Sequence, residues 1–281
     1  MNRRRALILG GATLLGMGAR AWSAEAAMPA EFGIFPYLSP RALLTTHQPL
    51  RLFLAERLGR PLQLSTAINY ESFNERTLRG DYDLLITPPH LARLAQIEAK
   101  YVPLAVYSKV LRGVLAVRKT SPVTEVRQLR GKVVATPDRL ALVTLVGTRL
   151  LADNGLHADT DYSLLTTTSH ASAAYAVARG EALAVFTELA TFQKQIPAEV
   201  REELRILALM GNLPHVMFLA HPRLGPQRIE ALRAGLLDFA RNTPEGKSFI
   251  EDSGFEGIRP VTDADMKAMD PYVLALQSLI P

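Results

Sequence analysis

The sequence predicts an α/β protein of two lobes, each a mostly parallel sheet covered by helices, and three observations support this. Apolar runs of strand length alternate with runs of helix length, which is the order of parallel α/β folds. The alternation begins again after the segment 112–122, RGVLAVRKTSP. An Arg-Gly pair followed by an acidic residue and an apolar run occurs at Gly80 and at Gly180. Each glycine is predicted to end a helix with a positive φ. Two similar lobes would each contain this turn once. Alternatively, the turn occurs twice only because glycine is a common residue at helix ends.

In the first lobe, helix-capping residues and hydrophobic periodicity predict the secondary-structure elements. Ser39-Pro40 supplies a cap followed by proline at the first helical position, and Gly59 ends that helix. Leu50 and Leu54 fall on one face of the helix. The predicted order is strand 32–38, helix 40–58, strand 61–67, helix 70–80, strand 81–87, helix 89–99 and strand 101–108.

The second lobe repeats this order. A helix from Leu140 to Asp153 is closed by Asn154-Gly155, and Ser169 is the predicted cap of the next helix. The predicted order is strand 131–136, helix 140–153, strand 161–167, helix 169–180 and strand 181–187, and then a tail with strand 215–222 and helices near 227–241, 244–252 and 263–279.

These elements predict a cleft between the lobes. The predicted regions are an export signal at 1–26, a first lobe of 27–110 with 215–281, and a second lobe of 111–214. If the tail crosses back to the first lobe, two strands near 107–116 and 204–220 join the lobes. Strand ends and helix N-termini then converge on a cleft, where small ligands usually bind.

Residues 1–26 have the layout of an export signal. Three arginines at positions 3–5 precede an uncharged apolar run at 6–19, and small residues surround Ala24-Glu25-Ala26. The adjacent arginines resemble a twin-arginine signal, with cleavage expected after Ala26, and the protein is expected in the periplasm. A retained signal anchor is the alternative, but the apolar run is short for a bilayer core of about 30 Å.

Composition excludes several classes of function. The chain has 32 basic and 27 acidic residues, and residues 1–26 hold four of the former and one of the latter, which leaves a net charge of +2. No dense basic cluster interleaved with aromatics remains, so nucleic acid and anionic membrane are poor partners. The absence of cysteine excludes thiol catalysis and thiolate metal sites. His215 and His221 lack helical metal-ligand spacing, and we expect no metal and no cofactor.

The order of several phrases resembles a known family. These phrases cover most of residues 32–266 and are FGIFPYLSP, PLRLFLAERLGRPLQLSTAINYESF, LRGDYDLLITPPHLA, VLAVRKTSPVTEVRQLRGKVVAT, SHASAAYAVARGE and VTDADM. The chain is similar to the periplasmic solute-binding proteins of phosphate, phosphite and phosphonate importers, which have a type II binding-protein fold. The resemblance implies a non-enzymatic binding component of an ABC importer, with a small-molecule solute and a membrane permease as partners.

The resemblance also implies positions for a ligand site. His170 would lie in the first turn of its helix, where an imidazole beside free backbone N–H groups could donate to an anion. Alternatively, His170 is a local cap, Tyr70 an ordinary packing aromatic and Glu188 a helix-start carboxylate, while His90 and His215 are structural. The ligand-binding residues implied by the family are Tyr37, Tyr70, Thr87, His90, Thr144, His170 and Glu188.

Departures from the family pattern bear on the ligand. Family members hold the phosphoryl group with a Ser-Thr-Ser-Gly stretch, and residues 141–144 here read Ala-Leu-Val-Thr. An aromatic residue of the family's crossing strand matches Leu111 here, and the acidic residue that meets an amino group in aminophosphonate-binding members falls near Val216. Losing two or three charge-assisted hydrogen bonds would weaken oxyanion binding by several orders of magnitude, unless Arg112 or Arg139 points into the cleft. We therefore expect a less charged, larger or carboxylate-bearing solute.

Two other functions stay open from the sequence. One is a periplasmic sensing subunit that binds a solute and signals to a membrane kinase. The other is a transferase on the same fold, with His170 and Glu188 as an acid/base pair. The common nucleophile-elbow, zinc-protease, dinucleotide and P-loop motifs are absent from the sequence, which disfavours the enzyme.

Overall fold

A computed structural model describes residues 28–253 and 255–279. The predicted export signal at 1–26 lies outside these residues. The first half of the chain contains β1 (Ala30–Ile34), α1 (Pro40–Leu58), β2 (Leu62–Ser65), α2 (Tyr70–Leu78), β3 (Leu84–Thr87), α3 (Pro89–Glu98), β4 (Val102–Tyr107), β5 (Leu111–Arg118), β6 (Val133–Thr136) and α4 (Leu142–Asp153). The second half contains β7 (Ser163–Thr166), α5 (His170–Ala178), β8 (Ala184–Glu188), α6 (Leu189–Lys194), α7 (Ala198–Arg201), β9 (Leu204–Leu213), β10 (Met217–Ala220), α8 (Pro226–Asn242), α9 (Pro244–Ser253), β11 (Ile258–Pro260), α10 (Asp263–Lys267) and α11 (Asp270–Gln277).

The strands form two separate sheets, as expected of a two-lobed α/β protein. One sheet has the order β11-β4-β10-β3-β1-β2 and the other has the order β7-β6-β8-β5-β9. The chain passes between the sheets twice, at residues 108–110 and at 214–216. The sheets are mixed rather than mostly parallel, because β10 and β5 run antiparallel to both of their neighbours. The sequence pattern of alternating elements did not reveal these reversals, which come from the crossings.

The repeated Arg-Gly turn has the predicted backbone geometry. Gly80 and Gly180 have φ values of 77° and 84°, and each follows a nine-residue helix, α2 or α5. A side chain is strained at such φ values, so glycine lets the chain turn from the helix toward β3 or β8. The prediction of a shared turn in the two lobes is confirmed at the level of the backbone.

The tail differs from the prediction of one helix over 263–279. Thr262 begins α10 with a capping box, and Pro271 lies in the first turn of α11, so two short helices replace one long one. Proline lacks an N–H and its ring clashes with the preceding turn, which ends a helix upstream of it. Strand β11 and helices α6 and α7 were also missed by the sequence prediction, since each is six residues or shorter.

Packed side chains bury both sheets and tie them together. A large apolar cluster surrounds the first sheet, and two smaller clusters cover the faces of the second. A fourth cluster joins α3, α4 and α11 through Leu91, Leu145 and Leu276, so helices that follow strands of different sheets pack on one another. Within residues 28–253 and 255–279, no helix combines the length and apolar character needed to cross a membrane.

Candidate functional site

A cavity of about 120 Å³ lies between the two sheets. Its wall includes residues that follow β1, residues at both chain crossings, and the first turns of α2, α4 and α5. Because residues from both sheets and both crossings meet around it, the cavity can enclose a small solute.

Aromatic rings form one wall of the cavity. The ring of Phe35 stacks on Tyr37 at 4.7 Å between centroids and meets Tyr70 edge-on at 5.8 Å. Tyr70 is the first residue of α2, whose cap Asn69 accepts a hydrogen bond from the Ser72 N–H at 2.8 Å. Burial raises the pKa of both tyrosine hydroxyls well above its usual value, so each is a neutral donor at physiological pH.

The start of α4 presents backbone N–H groups to the cavity. Ala141 is the cap position and makes no side-chain cap bond, and residues 141–143 all line the cavity. Within the described chain, the N–H groups of Leu142 and Val143 have no hydrogen-bond acceptor. The first N–H groups of a helix, together with its dipole, favour a negative charge. The sequence places aliphatic side chains here, so the backbone alone supplies these donors.

His170 lies at the first position of α5, and its ring lines the cavity. Its Nδ1 lies 2.8 Å from the hydroxyl of Thr187, a fully buried residue of β8. Burial lowers the pKa of His170 to about 4, so the imidazole is neutral at physiological pH. Its Nε2 has no hydrogen-bond partner in the described part of the chain, which leaves it for a solute.

Glu188 lines the cavity but also caps a helix. Its carboxylate oxygens accept hydrogen bonds from the N–H groups of Ala190 at 2.9 Å and Thr191 at 2.7 Å, both in the first turn of α6. This matches the alternative of a helix-start carboxylate. Both oxygens still have unused acceptor positions, so Glu188 contributes a fixed negative charge to the wall.

The structure brings four of the seven implied residues to the cavity and leaves three outside its wall. Thr87, His90 and Thr144 are buried and absent from the lining. The Nε2–H of His90 donates to the carbonyl oxygen of Leu140 at 2.8 Å, and the Thr144 hydroxyl donates to the carbonyl of Asp138 at 2.5 Å. These bonds occupy the Nε2 of His90 and the hydroxyl of Thr144, while the Nδ1 of His90 is buried without a partner in the described part of the chain. The four residues in the lining are Tyr37, Tyr70, His170 and Glu188.

The cations at the cavity are not those suggested by the sequence. Arg112 donates to the Asn212 side chain at 2.6 Å, and neither residue lines the cavity. Arg139 forms an ion pair with Glu71 at 2.9 Å and is also absent from the lining. The lysines of the lining lie elsewhere, one at the first chain crossing and one at the end of α6.

These lysines differ in surroundings. The ammonium of Lys109 lies 4.0 Å from the carboxylate of Glu256, and its side chain is 18% exposed. Lys194 is exposed and belongs to a helix of six residues, which is too short to show a periodic pattern. Only the position of Lys109 at a predicted crossing could have indicated its role.

His215 is a further residue that the sequence interpretation treated as structural. It lies at the second crossing, lines the cavity and is 6% exposed. Its ring lies 4.9 Å from that of Phe255, and its Nδ1 is buried with no hydrogen-bond partner in the described part of the chain. Burial, and secondarily Lys109, lower the pKa of His215 to about 4. Within the described residues, no cluster of His, Asp and Glu could hold a metal ion.

Known proteins share this architecture. A family model described as "ABC transporter, phosphonate, periplasmic substrate-binding protein" matches residues 32–266. XAC2383 from Xanthomonas citri, bound to chloride ion, gives a TM-score of 0.79 at 17% identity over 89% of this chain and 99% of that protein. PhnD1 from Prochlorococcus marinus, in complex with methylphosphonate, gives 0.77 at 13% identity over 88% and 98%. The aliphatic sulphonate binding protein SsuA from Escherichia coli gives 0.62 at 17% identity over 89% and 87%. At these identities the likeness to solved structures concerns the fold.

Proposed function

The chain belongs to the family of periplasmic substrate-binding proteins of phosphonate ABC transporters, and from that premise we propose that it binds a small anionic solute between its sheets and presents it to a membrane permease. The family consists of substrate-binding proteins and not of enzymes, so the transferase alternative is set aside. The observation that carries the proposal is the cavity itself. Helix starts, aromatic rings and two lysines from both sides of the molecule converge on it.

The chemistry of the wall supports an anion with an apolar substituent. Positive charge comes from Lys109 and Lys194, free backbone N–H donors come from the start of α4, and the Nε2 of His170 is available to a solute. Apolar surface comes from Leu111, Val216 and Phe255. A pocket that is mainly apolar, with a few placed donors, is typical of small-molecule sites.

Titration calorimetry tests the proposal. A panel of small sulfonates, phosphonates and carboxylates is screened by thermal shift, and those that raise the melting temperature are titrated. Ala141 is 4% exposed and lines the cavity, so Ala141→Phe should fill the space and abolish binding. Ala152→Phe, at an exposed position of the same helix, is the matched control and should bind normally. Equal binding by both variants would place the solute elsewhere.

A hinge between the lobes is part of the proposal. The moving bodies would be residues 27–110 with 215–281, and residues 111–214, and the crossings at 108–110 and 214–216 would bend. A solute that contacts both lobes favours the closed state by its differential affinity for that state. We expect the radius of gyration in solution scattering to fall when solute is added. An unchanged radius would argue against closure.

Export to the periplasm by residues 1–26 is proposed with the same function. The family is periplasmic, and the signal-like pattern of these residues agrees with that location. N-terminal sequencing of the protein from the periplasmic fraction should begin at Ala27. A protein that keeps Met1 would contradict cleavage.

A further inference from the structure

We infer that the cavity selects a solute whose head carries one negative charge, an organic sulfonate or a small carboxylate, over doubly charged phosphonate or phosphate. This inference rests on the proposed function and narrows its solute class. It is carried by the charges on the wall, by the hydrogen-bond donors beside them, and by the apolar surface that completes the cavity.

The fixed charges on the wall sum to about one positive unit. Lys109 and Lys194 are the cations of the described lining, and Glu188 is the anion. The cap bonds of Glu188 hold its carboxylate in place, so it cannot withdraw when a second negative charge enters. Glu256 lies 4.0 Å from Lys109, and although it is 67% exposed it further reduces the positive field. A monoanion therefore balances the formal side-chain charges of the wall, whereas a dianion exceeds them by one negative unit, which is unfavourable in a partly buried space.

The other titratable groups at the cavity add no positive charge near neutral pH. Burial lowers the pKa of His170 and of His215 to about 4, so both imidazoles stay neutral. Burial keeps Tyr37 and Tyr70 protonated by raising their pKa. Asp138 acts on Tyr70 from the loop before α4, and as a carboxyl it can only add negative charge.

The start of α4 also supplies fewer hydrogen-bond donors than a dianion needs. The three oxygens of a phosphonate dianion are strong acceptors that need several donors each. The start of α4 offers the N–H groups of Leu142 and Val143 but no hydroxyl, because both side chains are aliphatic. The next hydroxyl along α4, of Thr144, already donates to the Asp138 carbonyl. Each missing charge-assisted bond lowers affinity by about 10- to 100-fold.

The remaining surface suits a short apolar substituent. Leu111 directly follows the first crossing, Val216 belongs to the second, and Phe255 also lines the cavity. The cavity volume of about 120 Å³ favours a short substituent over a long one. A solute with a second acidic group would bury that group against aliphatic and aromatic carbon, which is unfavourable.

A matched pair of probes tests the inference on the unmodified protein. Methanesulfonate keeps a single charge, whereas methylphosphonate passes from one negative charge to two near neutral pH. From about pH 6 to about pH 8.5, we expect methanesulfonate affinity to change less than threefold and methylphosphonate affinity to fall at least tenfold. Propionate is the carboxylate arm, and tight propionate binding without sulfonate binding would also support a monoanion site.

Two outcomes would refute the inference. The first leaves the proposed solute-binding function intact, and the second refutes that function as well. Methylphosphonate that binds as tightly at the higher pH, or more tightly than methanesulfonate there, refutes the charge selection and leaves the solute-binding function intact. No heat and no thermal shift with any of the three probes refutes the inference and the proposed anion site together.

Two substitutions locate the selection. Glu188→Gln adds one positive unit to the wall and should narrow the preference for methanesulfonate at the higher pH about tenfold, whereas Glu202→Gln, at an exposed position, should not. Leu142→Thr adds a hydroxyl at the start of α4 and should raise methylphosphonate affinity about tenfold, with Ala152→Thr as the control on the exposed face of α4. If neither variant changes the preference for methanesulfonate over methylphosphonate, the charge selection is refuted. The two variants test it separately, because one changes the charge of the wall and the other adds a hydrogen-bond donor, so one well-folded variant is enough.

Discussion

Replacing His90 by leucine separates a ligand contact from a structural contact. His90 lies in the first turn of α3, is fully buried and donates from Nε2 to the Leu140 carbonyl at 2.8 Å. That carbonyl belongs to the loop directly before α4, so the bond joins elements that follow strands of different sheets. Leucine removes the donor and leaves a buried carbonyl without a partner, which costs about 1–3 kcal/mol of the free energy of unfolding.

The same substitution changes the pH dependence of stability. Burial lowers the pKa of His90 from 6.5 to about 4, so between these values the unfolded chain takes up a proton that the folded protein refuses. The wild type therefore loses stability as pH falls through this window, and His90 accounts for about 2 kcal/mol of that loss near pH 5. The leucine variant does not lose stability in this way. The difference in free energy of unfolding between the wild type and the variant should therefore be smaller at pH 5 than at pH 7.5, by about that amount.

Urea unfolding of both proteins at about pH 7.5 and about pH 5 measures the two effects. The exposed His157, replaced by leucine, is the control and should change stability by less than about 0.5 kcal/mol at pH 7.5. Solute affinity at pH 7.5 should fall less in the His90 variant than in a variant of the cavity wall. If the difference in free energy of unfolding is the same at both pH values, His90 is not a buried neutral imidazole. If a stable His90 variant no longer binds solute, His90 is a ligand contact.

Three further substitutions follow from the structure. Gly147→Ala would place a Cβ 2.5 Å from the Phe186 ring, so we expect a loss of about 1–3 kcal/mol in urea unfolding, and no loss would show that α4 lies farther from β8. Glu188→Ala removes the α6 cap and should lower the free energy of unfolding by about 0.5–2 kcal/mol in the same assay. Unchanged stability would show that this carboxylate does not stabilise α6 and would favour a role in ligand binding. Tyr70→Phe removes one donor and should weaken solute binding about 2- to 10-fold by calorimetry, and unchanged affinity would remove the hydroxyl from the site.

Local signals in the sequence were enough to predict helix starts and stops. Ser169 accepts a hydrogen bond from the Ser172 N–H, as its predicted capping role requires, and Gly180 has the predicted positive φ. Tyr70 and His170 are both first residues of helices that follow strands, and helix starts of that kind face the cavity. For these two residues, the predicted helix start was therefore enough to indicate that the side chain lies at the cavity.

Side-chain partners could not be predicted in the same way. His90 and Thr144 also lie at helix starts, but each donates to a backbone carbonyl that the fold brings close. Lys194 was missed because α6 is too short to show a helical period. His215 follows a proline and precedes an apolar strand, and only the crossing of the chain between the sheets brings it to the cavity.

Anomalous scattering from a bromine-labelled solute would show directly whether a solute binds between the two sheets. Crystals grown with bromomethanesulfonate, and separately with bromomethylphosphonate, locate the bound bromine without any assumption about the fold. We expect a bromine peak beside Val216 and Phe255, with the acidic head at the start of α4, for at least one of the two probes. Peaks confined to the outer surface, or a cavity that contains only water with both probes, would contradict it.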